Sequence, residues 1–356
     1  MGLALAAQNT PQPAKRPLLK KILFSLLPLV FLLAITEAAL RLYHGKLFSL
    51  ENMRTQQIEL WHTAYPAQYD DHLGWNLQPG ATRTAADLGV PVSITQDGMR
   101  SNGQPAPAAG LAILALGDSF TFGDEAGDNC TWPAQLERDL GKPVINGGVF
   151  GYGFDQIVLR AEQLAAREKY ALLIVSIIDD DIERCEMSCR TAWKPYFEID
   201  GDGLILKNDP VPKTAVAKAS RVKAALGYSY LMNFICKRAA REWWAAEGDG
   251  MIRVHARGMD VALRLTAHLA ELQRARGSRV LLVAQGRLNG DPQRLVPLMT
   301  RAREAGLETL DLVAPLNEVL RADPGKRAEF FTTHMTCAGN AWVAARIAEK
   351  LRTMQP

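Results

Sequence analysis

The sequence contains a six-residue apolar run, Leu111–Leu116, that ends abruptly at Gly117-Asp118-Ser119. A run of this length between turn residues suits a strand that is buried on both faces, as strands are in parallel sheets covered by helices. Gly117 permits a sharp turn, so Ser119 stands where the strand gives way to a helix. Open α/β folds bind their ligands at that edge of the sheet. The run therefore predicts an α/β fold with a serine hydroxyl at its ligand-binding edge.

Further strands and helices alternate after this run, which predicts a doubly wound, mostly parallel five-stranded sheet. The strands are predicted at Leu111–Leu116, Pro143–Asn146, Ala171–Ile178, Arg279–Ala284 and Glu308–Leu312. Helices are predicted from Thr131 to Gly141, from Asp155 to Glu168, from Met251 to Arg276, from Asp291 to about Gly306 and from Ala338 to Leu351.

An insertion of about residues 185–250 interrupts this alternation and is far longer than a usual connection. Its first part, Tyr196–Leu206, reads as a β-hairpin around a Gly-Asp-Gly turn. Basic residues then flank an aromatic segment, Tyr228–Phe234. They are Lys213, Lys218, Arg221, Lys223, Lys237, Arg238 and Arg241. The segment is either a docking surface for an acidic glycan or an anionic bilayer, or an amphipathic helix that packs on the sheet with its lysines in solvent; we favour the second.

The N-terminal region predicts a single membrane anchor. Residues 22–40 are mostly apolar and carry no charge except Glu37, and four basic residues precede them. About 20 apolar residues cross a bilayer, and the flanking charge predicts a cytoplasmic N-terminus. The alternatives are a cleaved signal peptide, for which Thr36-Glu37-Ala38 is a poor cleavage site, and a buried core helix. The predicted order is a cytoplasmic tail (1–21), an anchor in the cell membrane (22–40), an extracytoplasmic lead-in (41–110) and the extracytoplasmic sheet domain (111–356).

The net charge, the cysteine content and the residue spacing limit the kinds of partner and cofactor that the chain can bind. The first 50 residues hold six basic residues and one acidic one, so their net charge is +5 and that of the remaining chain is −2. This balance argues against a nucleic-acid partner. Five cysteines leave at least one unpaired, and Cys185 and Cys189 are close enough in sequence to pair. No metal-ligand spacing and no nucleotide-binding glycine fingerprint is present, so we predict no metal and no cofactor.

Several motifs, in a fixed order, resemble the SGNH/GDSL hydrolases. They are Gly117-Asp-Ser-Phe, Asn146-x-Gly148-x-x-Gly151, an acidic strand end at Asp179–Asp181, and His334 before a C-terminal helix. Leu73–Gly80 and Gln96–Arg100 are similar to the lead-in of membrane-anchored bacterial members. The resemblance implies the flavodoxin-like SGNH hydrolase fold over about Leu111–Leu351.

The resemblance also implies the catalytic roles. Ser119 would be the nucleophile and His334 the base, with the Ser119 and Gly148 N–H groups holding the oxyanion. His334 is also the best base on position, because the other histidines lie at the membrane, in the lead-in or within a predicted helix.

Two departures from the family pattern bear on activity. The family has an asparagine as third oxyanion donor where this chain has Asp180 or, one residue earlier, Asp179. A carboxylate there would repel an oxyanion unless it is protonated or turned away. The family also has an aspartate two or three residues before the histidine, where this chain has Thr332 and Phe331. Asp311, Asp323 and Glu329 are the candidates to orient His334, and a Ser–His dyad is the alternative.

Three functions follow from these residues. The favoured hypothesis is a membrane-anchored serine esterase that hydrolyses a small ester or an acylated glycan, such as an O-acetyl ester. The second is an O-acetyltransferase for a cell-surface polysaccharide, with a sugar hydroxyl in place of water. The third is a catalytically silent module that binds a glycan or scaffolds partners.

Overall fold

The described part of the chain begins with one long helix, α1 (Leu18–Tyr43). The computed structural model describes residues 18–50, 65–83, 90–105, 107, 110–213, 221–240, 243–244 and 251–354. Within α1, Phe24–Tyr43 is long and apolar enough to cross a bilayer, with a mean hydropathy of 1.8. The apolar side chains of its first half are exposed, which disfavours the core-helix alternative. A signal sequence meets the same description. The predicted tail before residue 18, and Lys218 and Arg241, lie outside the described residues.

The lead-in forms two small antiparallel ladders. Strand β1 (Ala67–Asp70) pairs with β2 (Gly74–Leu77), and β3 (Thr82–Arg83) pairs with β4 (Val92–Ser93). Leu73, Trp75 and Leu77 are buried in the same apolar core as the central sheet. The Trp75 indole donates to Phe150 O at 3.0 Å, and Tyr152 OH donates to Trp75 O at 2.6 Å. Strand β2 of the lead-in and the adjoining Leu73 therefore pack on the sheet domain.

The central sheet has five parallel strands, which confirms the predicted α/β class. They are β5 (Ile113–Leu116), β6 (Val144–Asn146), β7 (Leu172–Ile177), β13 (Arg279–Ala284) and β14 (Glu308–Asp311). Their order across the sheet is β14-β13-β7-β5-β6, the doubly wound flavodoxin-like order. The strand order reverses between β5 and β7. Ligand-binding crevices in such folds open at that point, beyond the carboxyl ends of the strands.

Alternation along each strand supplies two apolar cores. On β5, Leu114 and Leu116 belong to one core and Ile113 and Ala115 to the other. Because successive side chains point to opposite faces, a wholly apolar strand requires cover on both sides. Helices cover both faces of the sheet, which explains why the sequence of β5 is apolar without interruption.

The helices after β5 flank the sheet or lead into the site. They are α2 (Ser119–Phe122), α3 (Trp132–Leu140), α4 (Phe154–Arg167), α5 (Asp179–Arg184), α6 (Arg221–Leu226), α7 (Tyr230–Ala239), α8 (Gly258–Arg276), α9 (Val296–Glu304), α10 (Val313–Ala322), α11 (Lys326–Phe330) and α12 (Cys337–Thr353). Thr131 caps α3 by accepting from Ala134 N, and Thr336 caps α12 by accepting from Gly339 N. Both are the hydroxyl caps expected at helix starts.

The insertion contains two further sheets. Strand β8 (Met187–Arg190) lies between β9 (Ala192–Trp193) and β12 (Met251–Arg253). The predicted hairpin is confirmed, with β10 (Tyr196–Asp200) paired to β11 (Gly203–Lys207).

The predicted helix from Met251 to Arg276 is wrong in its first part. Residues 251–253 form β12, and Val254 N donates to Glu186 O at 2.8 Å. The helix begins only at Gly258, whose N–H donates to Glu186 Oε1 at 3.1 Å. Pairing with a strand of the insertion, which periodicity does not reveal, decided this boundary.

The Cys185–Cys189 pair, which the sequence spacing allowed, does not form. Both side chains are buried outside any disulfide, and the disulfide joins Cys130 to Cys337 instead. Cys185 ends α5 and Cys189 lies in β8, where it faces Trp193 and Ile252. The paired cysteines are 207 residues apart in sequence.

The chain divides into two compact units. One comprises α1 with residues 221–241, and the other comprises residues 54–220 and 242–356, including the central sheet. Helices α6 and α7 thus share a unit with α1. The expectation that lysines in this segment are solvated fails at Lys223, which is buried, while Val222, Phe234 and Ile235 are exposed.

Candidate active site

Ser119 is held at the turn between β5 and α2. Gly117 has no space for a side chain, since a Cβ there would collide with Thr121 and with Ser176 O. Asp118 caps α2 by accepting from Phe120 N at 2.9 Å, so Ser119 is the first residue of the helix. The first amides of a helix have no acceptor within it. The turn therefore presents both the hydroxyl and the N–H of Ser119 at the end of the strand.

His334 lies in the loop between α11 and α12, directly across from Ser119. Its Nε2 is 3.0 Å from Ser119 Oγ. The loop is closed by Thr332 N donating to His334 O at 3.0 Å, and the Phe120 ring packs 5.1 Å from the imidazole. A hydroxyl that donates to Nε2 requires the neutral imidazole to carry its proton on Nδ1. Activation of a serine hydroxyl by a general base requires a separation of this size.

Glu125 is the acid nearest the second ring nitrogen. Its Oε1 is 3.7 Å from His334 Nδ1, an ion-pair distance rather than a hydrogen bond. Its Oε2 accepts from Thr333 N and His334 N, each at 3.1 Å, and from the Thr332 hydroxyl. The carboxylate thus binds the loop that carries the base. Glu125 has φ +64°, a left-handed conformation that non-glycine residues rarely adopt and that is enriched at functional sites.

Asp124 is a second acid at the imidazole, and it is buried. Its Oδ2 lies 3.7 Å from His334 Nε2 and accepts from Tyr65 OH at 2.5 Å. Burial raises the pKa of Asp124 to about 6, against the opposing effects of His334 and Tyr65. Asp124 therefore approaches the titration range of histidine, unlike a solvated carboxyl group.

The two acids and the histidine influence one another. Burial alone would lower the pKa of His334, but Glu125, Asp124 and Asp118 outweigh it and raise that pKa above its ordinary value. The His334 imidazole in turn holds the pKa of Glu125 well below its usual range, with help from the Thr332 hydroxyl and the loop amides. The site is therefore arranged to stabilise a protonated imidazole.

The acids nominated from the sequence are engaged elsewhere. Asp311 accepts from Val313 N at 2.8 Å, Asp323 accepts from Gly325 N at 2.9 Å, and Glu329 pairs with Lys326 at 2.7 Å. The acids beside His334 come from five and six residues after Ser119, not from the segment before the histidine. The usable signal was the Asp-Glu pair that closes the serine motif, Gly117–Glu125.

Gly148 is not among the described residues that line the cavity at Ser119. Its N–H donates to Asn146 Oδ1 at 3.1 Å, and it packs so closely against α2 that a Cβ would collide with Phe122 N. Gly148 therefore supports the nucleophile turn from behind. Among the described residues that line the cavity at Ser119, the glycine is Gly151, with φ +73°.

Asp180 lines the cavity, but its carboxylate cannot donate to an oxyanion. It accepts from Arg287 Nη2 at 2.7 Å and lies 3.9 Å from Arg184 Nη2. Asp179 likewise pairs with Arg287, at 2.5 Å. The carboxylates that replace the family's asparagine are thus neutralised by guanidinium groups, which removes the repulsion expected from the sequence.

A cavity of about 610 Å³ opens over the serine and histidine. Apolar side chains at its wall are Phe120, Phe150, Ile178 and Leu288. Its polar wall includes Arg190, Arg287, Asn289 and Thr333. The cavity therefore has both an apolar and a polar wall. Within the described ranges, no group of three or more His, Cys, Asp or Glu side chains is arranged to hold a metal ion.

Solved structures that resemble this chain are distant. They include a protein assigned to the lipolytic G-D-S-L family from Desulfitobacterium hafniense (14% identity, 67% of this chain and 99% of that one, TM-score 0.38). Another is Axe2, an acetylxylan esterase from Geobacillus stearothermophilus (16% identity, 69% and 96%, TM-score 0.40). A third is a two-domain esterase active on acetylated mannans (14% identity, 68% and 48%, TM-score 0.42).

These three are a lipolytic protein and two esterases, the classes of protein that the sequence resemblance indicated. Likeness at such identities and TM-scores carries no conclusion about activity. No family model matches the sequence, and no curated protein sequence matches it.

Proposed function

We propose that this chain is a serine esterase with Ser119 as nucleophile and His334 as general base. The observation that carries the proposal is the 3.0 Å separation of Ser119 Oγ and His334 Nε2 at the floor of a cavity. Serine hydroxyls are weak nucleophiles on their own, and an adjacent base with an orienting acid is the arrangement that activates them.

The proposed reaction proceeds in two stages. Ser119 Oγ attacks the ester carbonyl as its proton moves to His334 Nε2, and the carbonyl oxygen becomes an oxyanion facing the Ser119 and Gly151 N–H groups. His334 then returns the proton to the departing alcohol, which leaves an acyl-serine. Water, deprotonated by His334, attacks the acyl-serine, and the acid product departs as Ser119 regains its proton. Glu125 and Asp124 stabilise the imidazolium in each stage.

The two acids beside His334 bear on the alternative functions. The hypothesis of a catalytically silent binding module rested on the missing aspartate before the histidine. Because Glu125 and Asp124 lie beside His334, the absence of that aspartate no longer supports the hypothesis. Acetyl transfer to a polysaccharide uses the same serine and histidine. It differs only in whether a sugar hydroxyl or water takes the acyl group.

We propose an ester of a short acyl group with a polar alcohol, such as an O-acetyl group on a glycan, as the substrate. Apolar contact from Phe120 and Phe150 would suit the acyl group. The polar wall near Asn289 and Thr333 would suit a hydroxylated alcohol.

We also propose that α1 anchors the chain in the cell membrane, with the N-terminus in the cytoplasm and the sheet domain outside it. The apolar, exposed face of α1 and the basic residues before it support the anchor. The Cys130–Cys337 disulfide supports the side of the membrane, because disulfides persist in oxidising compartments and are rare in the cytosol.

Hydrolysis of p-nitrophenyl acetate by the full chain in detergent micelles tests the catalytic proposal. We expect Ser119→Ala to lower kcat/KM by about a thousandfold or more, because the nucleophile is lost. Ser101→Ala, in a lead-in turn away from the cavity, is the matched control and should retain the rate. Equal rates for Ser119→Ala and the unchanged chain would overturn the proposal. Turnover that rises with added oligosaccharide would assign acetyl transfer instead of hydrolysis.

A further inference from the structure

Glu37 is the one acidic residue within the candidate membrane span, Phe24–Tyr43. It lies six residues before the end of that span, or about 9 Å along the helix at 1.5 Å per residue. A carboxylate at this depth is costly unless it is paired or hydrogen-bonded. Its partners therefore indicate what covers this part of α1.

The partners of Glu37 come from Arg41 and from the start of α7. Arg41 Nε donates to Oε1 at 2.6 Å, and Tyr230 N donates to the same oxygen at 3.0 Å. Ser229 Oγ and Leu231 N each donate to Oε2 at 2.8 Å. The carboxylate thus caps the first turn of α7, where a negative charge is also favoured by the helix dipole.

Arg41 strengthens the same junction. Its guanidinium donates to Tyr228 O and to Ser49 O, each at 2.5 Å, and lies 5.1 Å from the Tyr230 ring centroid. The His44 ring is 5.5 Å from Tyr230. The start of α7 is therefore joined to the last two turns of α1, at the level where a membrane helix leaves the bilayer.

The remainder of this segment has the composition of a membrane-interface element. Residues 221–240 contain four basic residues and no acidic one. Val222, Tyr228, Phe234 and Ile235 are exposed, at 63%, 51%, 45% and 40%. Exposed aromatic and aliphatic side chains beside basic ones are typical of helices that lie in the headgroup region of anionic bilayers. When these apolar side chains are exposed to water, they contribute no burial free energy to the stability of the fold.

We propose that Arg221–Ala240 lies in the interface of the bilayer that α1 crosses, held there by the Glu37 cap. Phe234 and Ile235 enter the upper acyl region. The exposed side chains of Arg221 and Arg238 contact anionic headgroups. The proposal rests on the membrane anchoring proposed above. It assigns to Glu37 the role of fixing the segment at a set depth on α1.

Spin-label accessibility tests the proposal in the full chain, reconstituted into vesicles of phosphatidylcholine and phosphatidylglycerol. Single cysteines are introduced by Phe234→Cys, by Leu29→Cys in α1 and by Arg303→Cys on α9. The three free native cysteines are buried, and the chain without an added cysteine supplies the background. We expect the labels at 29 and 234 to favour collision with lipid-soluble oxygen, and the label at 303 to favour a water-soluble nickel chelate.

The outcomes separate the two proposals. A lipid-exposed label at 29 with a water-exposed label at 234 would overturn the interface proposal and leave the anchor standing. A water-exposed label at 29 would overturn the anchor itself. Adding Glu37→Ala should move the label at 234 toward water, whereas Glu37→Gln, which keeps one acceptor oxygen, should move it less. An unchanged label in Glu37→Ala would overturn the role assigned to Glu37.

Discussion

At the residue scale, two acids lie beside His334, although no acid precedes it in the sequence as the SGNH/GDSL pattern has it. Glu125 follows the serine motif, yet it reaches the imidazole and the amides of Thr333 and His334. One side chain thereby lies against the His334 imidazole and also ties the loop that carries it to the turn after Ser119. Its left-handed φ of +64° is the local cost of that placement.

The pH dependence of kcat/KM should report Glu125. Because the carboxylates raise the pKa of His334, activity should rise with pH through a midpoint above the ordinary histidine value of about 6.5. Glu125→Gln removes a negative charge that favours the imidazolium, so the rising limb should move to lower pH by about 1 unit or more. The rate should also fall roughly tenfold or more.

Glu329→Gln is the matched control, because Glu329 pairs with Lys326 at the surface. It should leave the pH profile in place. A profile that Glu125→Gln does not shift would mean that Glu125 only fastens the loop.

At the element scale, one buried lysine joins the insertion to the helices of the sheet domain. Lys194, between β9 and β10, is fully buried and pairs with Asp155 of α4 at 2.5 Å. Its ammonium also donates to the carbonyls of Arg184, Met187 and Pro195. Arg184, at the end of α5, binds Asp118 at 3.0 Å. The ion pair therefore supports the element that holds the aspartate of the serine motif.

Lys194→Met should lower the free energy of unfolding by about 3–5 kcal/mol, because it leaves Asp155 buried without a cation. Adding Asp155→Asn should recover part of that loss. Urea unfolding of the chain in detergent micelles measures both. The control is Lys207→Met, which breaks the half-exposed pair with Glu198 at 3.3 Å and should cost at most about 1 kcal/mol. Equal losses for the two lysines would contradict the structural role of Lys194.

At the scale of the whole molecule, the disulfide joins the two parts of the chain that build the site. Cys130 lies five residues after Glu125, and Cys337 lies three residues after His334. Gln135 Nε2 also bridges the carbonyls of Cys130 and Cys337, at 2.8 and 3.0 Å. The disulfide and these hydrogen bonds thus hold the segment after the serine motif against the segment after His334, although the two are distant in sequence.

The oxidation state of this pair in cells tests the proposed location. We expect that chain from acid-quenched cells, denatured and treated with a polyethylene-glycol maleimide, gains three labels without reductant and five after reduction. The three correspond to the free cysteines Cys185, Cys189 and Cys236. Five labels without prior reduction would place the sheet domain in a reducing compartment. The Cys130→Ser variant supplies the matched pattern of four labels under both conditions.

The sequence alone determined the class of the fold and where the five strands of the central sheet lie. Wholly apolar runs such as Leu111–Leu116 can be buried only between two layers of helices, so the parallel sheet followed from local pattern. The turn at Gly117 and the position of Ser119 followed in the same way, because both are local properties of the chain.

Only the tertiary structure decided which distant residues meet. Three such findings depend on loops brought together by the order of the strands. Glu125, rather than Asp311, Asp323 or Glu329, lies beside His334. Gly151, rather than Gly148, lines the cavity, and the disulfide joins Cys130 to Cys337. The start of α8 depended on the pairing of β12 with β8. The partners of Glu37 at the start of α7 lie 192 to 194 residues away. Periodicity and turn chemistry act over a few residues, whereas these contacts depend on packing of the whole chain.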